Sequence, residues 1–363
     1  MPRIIVSVTN DLVTDQRVRK VCATLESEDF EILLIGRKLP QSLPIQRSYK
    51  TYRMRLLFKK SFLFYAEYNV RLFLKLLFVR KDILLANDLD TLLPNFLISS
   101  LFGKKIVYDS HELFTEVPEL VHRPSVQNVW LRIEKFIFPK LKNVITVCDS
   151  IAKYYNDKYK VSVLVIRNLP SQNNQIVKSK LPFDTNGKKI VLYQGALNVG
   201  RGLELLIDSM LLLNDWLLVI VGEGDIMDSL KEKVVINKVS SKVKFMGRLL
   251  PEDLNKITPI ATVGVSLEED LSLSYHFALP NKLFDYIQAK VPVLVSNLPE
   301  MSSVVKAYKV GEVLKERTPE NLAKQLIEIA KVNNSEWNFD DTIAVLNWEN
   351  ESKKLKEIYQ NLK

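Results

Sequence analysis

Cysteine is almost missing from this chain: among 363 residues only Cys22 and Cys148 are found. Two cysteines so far apart build no disulfide framework, and their scarcity fits a reducing compartment. Histidine is as rare. His111, His122 and His276 are the whole set, and none is spaced with a cysteine as zinc ligands are, so no metal site is expected. No run reaches about 18 uninterrupted apolar residues, so no transmembrane helix is expected. The opening MPRIIVSVTND lacks the long apolar core of a signal peptide. Low-complexity tracts, a coiled-coil period and repeats of roughly 20 to 50 residues are missing as well. Together these absences exclude a secreted disulfide scaffold, a solenoid and a membrane-spanning protein, and leave a globular chain expected in the cytoplasm.

What is present is ordinary in bulk, with 47% hydrophobic and 26% charged residues. The length exceeds what one core usually organises, so two domains are expected. Charge is uneven. Residues 1–168 hold 27 Lys+Arg against 17 Asp+Glu, or +10, and the remainder holds 24 against 25, or −1. A basic first half suits an anionic partner, although a solvated basic face with no partner has the same composition. The excess peaks over 47–81, with ten Lys+Arg and the single acid Glu67, interleaved with aromatic and aliphatic residues. Such a stretch can lie on an anionic membrane surface, or be an amphipathic helix packed on a sheet.

Short apolar runs rich in β-branched residues recur along the first half: RIIVSV (3–8), EILLIG (31–36), DILLAND (82–88), KKIVYDS (104–110), NVITV (143–147) and VSVLVI (161–166). They read as parallel strands covered on both faces. Val18, Val21, Cys22 and Leu25 recur at helical spacing after the first, with Thr14 and Asp15 fitting the helix start. Residues 169–187 turn to Asn, Gln, Ser, Pro and Lys, as a linker does. The alternation then restarts with KKIVLYQG (188–195), WLLVIVGEG (216–224), VKFMG (243–247), TVGVSL (262–267) and VPVLVS (291–296). Two Rossmann-like, doubly wound α/β domains are expected, 1–168 and 188–340, facing a central cleft where such sheets place ligands. Residues 341–363 are expected as a helix packing back toward the first domain.

Three segments of the second half carry candidate chemistry. In IVLYQGALNVGRGLELLIDSM (190–210) a strand enters a loop with Gly195, Gly200 and Gly202 and then a helix. Glycines admit a phosphate close to the backbone, and Arg201 can pair with its oxygens. The spacing is not that of the dinucleotide fingerprint, and tight βα turns alone would also explain it. Gly222 and Gly224 form a second glycine pair after a strand. The segment ALPNKLFDYIQAKVPVLVSNLPEM (278–301) starts a helix at Pro280, buries Leu283, Phe284 and Ile287, and sets Lys282 and Asp285 on another face. Lys282 at a helix start is an anion clamp, and Asp285 can accept from ribose hydroxyls. A surface Lys–Asp pair is the plainer reading.

At these residues the chain resembles the retaining two-lobed (GT-B) glycosyltransferases of family four, also called glycosyl transferases group 1. PNKLFDY with QAKVPVLVSN is similar to that family's donor-site helix and following strand, and YQGALNVGRGLELLIDS to its phosphate loop. VGEGD, VKFMGRL, TNDLVTDQRVRK and VYDSHELFTEVPEL match in order. The resemblance implies a nucleotide-sugar donor held by Gly195, Ala196, Arg201, Gly222, Gly224, Gly247, Asn281, Lys282, Leu283 and Asp285. It implies a catalytic part for His111 beside Arg201 and Lys282, with Asn10, Asp109 and Glu112 on the acceptor side. No metal and no other cofactor is implied. A glycan or lipid-linked acceptor and a place in cell-surface polysaccharide synthesis, at the inner face of the plasma membrane, complete the expectation. Two departures stand out. The family's paired carboxylates fall on Asp285 and Phe277, and Ala196 replaces the arginine that often follows the loop glycine. Other functions remain in view: a nucleotide-sugar epimerase of the same fold, a metal-dependent transferase using Asp88-Leu89-Asp90, and a basic nucleic-acid binder, for which no binding motif is present.

Overall fold

The computed structural model describes residues 1–13, 15–172 and 176–363. Thr14, expected at the start of the first helix, lies outside them. The chain forms two compact units, Met1–Asn168 with Asn350–Lys363, and Leu169–Glu349.

The first unit contains a seven-stranded sheet in the order β3-β2-β1-β4-β5-β6-β7. Its strands are β1 (Arg3–Asp11), β2 (Glu31–Arg37), β3 (Lys50–Met54), β4 (Ile83–Asn87), β5 (Lys105–Ser110), β6 (Val144–Thr146) and β7 (Val163–Val165), and every pairing is parallel. Its helices are α1 (Gln16–Ser27), α2 (Ser61–Phe78), α3 (Leu89–Phe102), α4 (Pro118–Val121), α5 (Pro124–Ile137) and α6 (Asp149–Tyr159). Strand β4 is buried throughout, as a central strand covered on both faces must be. Asp15 caps α1 by accepting from the Val18 N–H, which satisfies one of the helix's orphan donors.

The second unit contains a six-stranded sheet in the order β10-β9-β8-β11-β12-β13. Its strands are β8 (Lys189–Gln194), β9 (Trp216–Val221), β10 (Val243–Gly247), β11 (Val263–Ser266), β12 (Val293–Val295) and β13 (Gly311–Val313), again all parallel. Its helices are α7 (Leu203–Ser209), α8 (Met227–Ile236), α9 (Pro251–Ile257), α10 (Leu273–His276), α11 (Asn281–Gln288), α12 (Pro299–Tyr308), α13 (Pro319–Ile329) and α14 (Phe339–Val345). One apolar core lies on each face of this sheet, so both faces of β8, β9 and β12 are apolar.

The tail differs from the single helix expected over 341–363. It is α14 and then α15 (Trp348–Gln360). The end of α15 belongs to the first unit, where buried Tyr359 meets Phe30 edge-on at 6.0 Å and the Leu362 carbonyl accepts from Lys105. The basic segment 47–81 also differs from one amphipathic stretch. It supplies edge strand β3, a loop, and α2. Helix α2 buries Phe64, Tyr68, Leu72 and Leu76 under the sheet. It leaves Leu63, Val70, Leu74 and Phe78 exposed along its other face. No helix among the described residues is long and apolar enough to cross a membrane.

Candidate functional site

In the second unit the candidate residues gather at the C-terminal ends of β8, β9 and β11. Gly195 leaves β8 with φ +138°, and its N–H is held by the Val221 carbonyl. Gly222, at φ +147°, lies so close behind that a Cβ there would come 1.8 Å from the Gly195 carbonyl oxygen. A side chain at 222 would therefore displace the β8 loop, and this close approach is what glycine provides. Gly202 caps α7 in the left-handed region, with its missing Cβ 2.3 Å from the Leu267 carbonyl oxygen. Gly224 packs against the Leu197 carbonyl, and Gly247 accepts from the Gly222 N–H. The Ala196 carbonyl accepts from the Tyr193 hydroxyl, 2.7 Å, which fixes the loop's first turn.

Arg201 and Lys282, far apart in sequence, meet one carboxylate. Lys282 Nζ donates to Glu268 Oε1 at 2.8 Å, and Arg201 Nη1 lies 3.6 Å from the same oxygen. Glu268 is fully buried and also accepts from Ser266, 2.7 Å. Burial pushes its pKa up, but the Lys282 and Arg201 charges and those hydrogen bonds outweigh it and hold the carboxyl below its usual value. Both cations also lie over aromatic rings, Lys282 over Tyr193 at 4.2 Å and Arg201 over Tyr275 at 4.7 Å. A Cβ at Gly195 would lie 3.4 Å from Lys282 Cε. The glycine loop and the lysine thus face each other without an intervening side chain. Arg317 braces the Glu268 loop, donating to the Leu267 and Glu268 carbonyls and to Ser296 Oγ.

Helix α11 starts one residue later than Pro280, which is its N-cap, so Asn281 is the first helical residue. Lys282 and Asp285 do not form the surface pair that their spacing allowed. Lys282 is turned to Glu268, and Asp285 Oδ2 accepts from Gln194 Nε2 at 3.0 Å. Gln194 Oε1 in turn accepts from Thr258 Oγ1. Leu283, expected among the donor contacts, is a fully buried core residue whose N–H bonds the Pro280 carbonyl. The helix is set deep by Gly264. A Cβ there would be 2.5 Å from the Tyr286 ring, and its absence lets the Tyr286 hydroxyl donate to the Leu192 carbonyl at 2.9 Å. Phe277 follows α10 and packs edge-on with His276, so it offers no carboxylate.

In the first unit the sequence-assigned residues sit at the ends of β1, β4 and β5. His111 is 19% exposed. Its N–H donates to Asp88 Oδ1 at 2.8 Å, Nδ1 is 3.1 Å from Asp88 Oδ2, and Nε2 is 3.4 Å from Asp109 Oδ2. Burial pushes the imidazole's pKa down, but the Asp88 and Asp109 charges prevail and hold it well above the usual histidine value. The two carboxylates thus favour the protonated imidazolium form of His111. Asp88 takes φ +57° at the N-cap of α3 and makes no capping bond there, because its carboxylate is given to His111. Such left-handed geometry in a non-glycine residue costs about 1–3 kcal/mol.

Asp109 is fully buried, and Arg17 holds both its oxygens at 2.9 and 2.7 Å while donating to the Ile166 carbonyl. Burial alone would raise its carboxyl, but Arg17 and His111 bring it down to about 2. It stands behind His111, out of an acceptor's reach. Asn10, exposed, donates to Asp15 Oδ2 at 3.0 Å, and Glu112 is exposed. Asp90, the second aspartate of the D-x-D pair, points elsewhere and accepts from Thr9 Oγ1 at 2.6 Å. Burial, then the nearby Asp88 charge, push its pKa up to about 8. Arg17, Glu268 and Arg317 were not singled out by sequence reasoning, since their partners lie 92, 14 and about 50 residues away.

Two parallel Rossmann-like sheets of seven and six strands make this a GT-B fold, and solved glycosyltransferases share it. Sucrose-phosphate synthase from Thermosynechococcus elongatus superimposes with a TM-score of 0.82 at 17% identity, covering 100% of this chain and 99% of that one. Anabaena HepE in complex with UDP-glucose gives 0.74 at 13% identity, over 99% and 100%. The lipopolysaccharide outer core galactosyltransferase WaaB gives 0.66 at 14%, over 99% and 100%. No curated protein sequence matches significantly. Residues 175–342, nearly all of the second unit, match the family model of the glycosyl transferases group 1.

Proposed function

We propose that the protein transfers a sugar from a nucleotide-diphosphate donor, held by the second unit, to a hydroxyl of a glycan or lipid-linked acceptor, with retention at the anomeric carbon. The observation that carries this reading is the meeting of Arg201 and Lys282 beside the glycine loop of β8. Lys282 packs against the Gly195 loop, and Arg201 shares the Glu268 carboxylate with it, a pair of cations suited to a diphosphate. As the sugar–phosphate bond breaks, negative charge grows on the leaving diphosphate, and cations already fixed by Glu268 stabilise it without reorganising. The Asp285 carboxylate, oriented by Gln194, suits a ribose hydroxyl. The bond between sugar and diphosphate is replaced on the same face by one to the acceptor oxygen, and the hydroxyl proton leaves with the products. We assign His111 the part of a donor to a sugar hydroxyl, which it reaches only by turning Nε2, without a hydrogen bond in the structure, away from Asp109.

Metal independence belongs to the same proposal, since the two cations supply the positive charge that a bound divalent ion would otherwise bring. Solved neighbours bound to UDP and UDP-glucose support a nucleotide-sugar donor. We further propose peripheral attachment to the inner face of the plasma membrane through 47–81, for cell-surface polysaccharide synthesis. The exposed apolar stripe of α2, flanked by Arg71 and Lys75, supports this reading. A thermal-shift screen against UDP-, GDP- and ADP-sugars tests the donor reading, because a ligand that binds the folded chain raises its melting temperature. No shift with any of them would sink it. Conversion of the donor without an acceptor would identify the epimerase instead.

A further inference from the structure

The first unit contains a second basic site that the donor chemistry does not use. A cavity of about 450 Å³ opens where β2 and β3 end and α2 begins. Four cations line it, Arg37, Lys38, Arg55 and Lys59, and no carboxylate does. Among the described residues none of the four is in an ion pair. The nearby Asp11 is already engaged by Arg53 at 3.8 Å and Ser42 at 2.6 Å. Arg37 lies over the Phe64 ring at 4.9 Å, and its Nε is buried without a hydrogen-bond partner. Helix α2, 18 residues long, begins beside the cavity with Lys60 as N-cap and no side-chain cap. Its first N–H groups therefore add to the positive field. The loop is built rather than loose: Glu67 accepts from the N–H groups of Leu57 and Phe58 and pairs with Arg71, holding Phe58 and Lys59 at the rim.

Like charges gathered around one surface cavity repel one another, and a bound anion relieves that repulsion. We propose that this cavity binds the phosphate or diphosphate group of the acceptor, with Leu56, Phe58 and Phe64 against the group attached to it. This inference rests on the transferase reading only for the word acceptor; the binding itself does not. The topology sets a length. Arg37 ends β2 and His111 follows β5, three strand spacings away in the order β2-β1-β4-β5, or about 14 Å. A phosphate in the cavity and a hydroxyl at His111 then cannot belong to one sugar ring. The acceptor carries its phosphate at least one unit away from the reacting hydroxyl. A lipid diphosphate bearing a sugar chain and a soluble phosphorylated oligosaccharide share that chemistry.

Isothermal titration calorimetry on the full chain tests the site with inorganic pyrophosphate, farnesyl diphosphate and glucose 6-phosphate. Arg55 and Lys59 are exposed, so Arg55→Gln/Lys59→Gln should fold. It is expected to weaken pyrophosphate binding about tenfold per lost cation. Arg201→Gln, which strips the other diphosphate clamp, should leave this binding in place. Farnesyl diphosphate binding more tightly than pyrophosphate assigns a lipid-linked source, and glucose 6-phosphate doing so assigns a soluble one. The proposal is overturned if Arg201→Gln binds no pyrophosphate, or if binding to Arg55→Gln/Lys59→Gln equals that of the unaltered chain. Donor binding followed in the same variants fails or survives independently, which keeps the transferase reading separate.

Discussion

Asp90 offers a direct test of the electrostatics at the end of β4. Burial, and then the Asp88 charge close by, lift its pKa to about 8 against the hydrogen bond from Thr9, which favours the carboxylate. In the unfolded chain the same group titrates near ~3.9. Between those values the folded state holds a proton that the unfolded state has released. Stability must therefore fall as pH rises through that window, by about 1.4 kcal/mol per pH unit, and level off above about 8. From pH 5 to pH 7 this carboxyl alone removes about 3 kcal/mol. Asp90→Asn keeps an oxygen for Thr9 and cannot ionise. Its amide takes the place of the buried Oδ1, which has no partner, at a pH-independent cost of about 1–2 kcal/mol. The variant should thus about match the parent at pH 5 and be more stable by about 2–3 kcal/mol at pH 7. His111 is present in both proteins and cancels in the difference. Fluorine NMR of 5-fluorotryptophan-labelled protein in urea isolates the first unit, because Trp130 is its single tryptophan. A stability difference between variant and parent that stays constant within about 0.5 kcal/mol from pH 5 to pH 7 refutes the buried neutral carboxyl.

Arg201→Ala should lower kcat by about 10²–10³, or about 3–4 kcal/mol of transition-state stabilisation, with the fold intact because Lys282 still neutralises Glu268; kinetics near those of the parent would remove Arg201 from the site. Lys282→Ala should do the same and also destabilise the second unit by about 3–5 kcal/mol, since it strands a buried carboxylate, whereas Lys282→Ala/Glu268→Ala should recover part of that stability but not the activity. Turnover should survive EDTA; complete loss restored by Mg²⁺ or Mn²⁺ would favour the metal-dependent reading. The protein should sediment with anionic vesicles at low salt and be released at high salt, and charge reversal at Lys59, Lys60, Arg71 and Lys75 should abolish the association. Indifference to such vesicles would make the α2 stripe an ordinary solvated face.

The parallel architecture was readable because its central strands are buried on both sides. ILLAN of β4 and WLLVIV of β9 have no polar alternation to confuse them. Strand β3, KTYRM, was missed for the opposite reason: it is an edge strand, half exposed, and its alternating polarity merged with the basic segment around it. Strand β13 is three residues long with a half-exposed edge, too short for any period to show. Arg201 and Lys282 were legible because each stands beside a local signal, a glycine loop or a proline-led helix start. Glu268 has no such signal. It is one of three acids in LEED, and only the fold distinguishes it from its neighbours by burying it between two cations. Asp109 misled in the same way: a carboxylate at a strand's C-terminal end reads as a ligand contact until Arg17 arrives from the other side of the sequence.

Glu268 also bears on the tempo of a catalytic cycle. Arg201 and Lys282 together with this carboxylate sum to one positive charge, not two. An incoming nucleoside diphosphate would bargain with a resident anion for its two cations, and each contact it gains would weaken one that already exists. On the proposed function, affinity for the spent nucleotide would thereby be capped from within the protein. Residence time shortens with it, since differences among related complexes lie mostly in the dissociation rate. An enzyme that must discharge a tightly chelating product after every turnover is served by such a placeholder, which keeps the cations ordered while the pocket is vacant and helps to empty it when it is full.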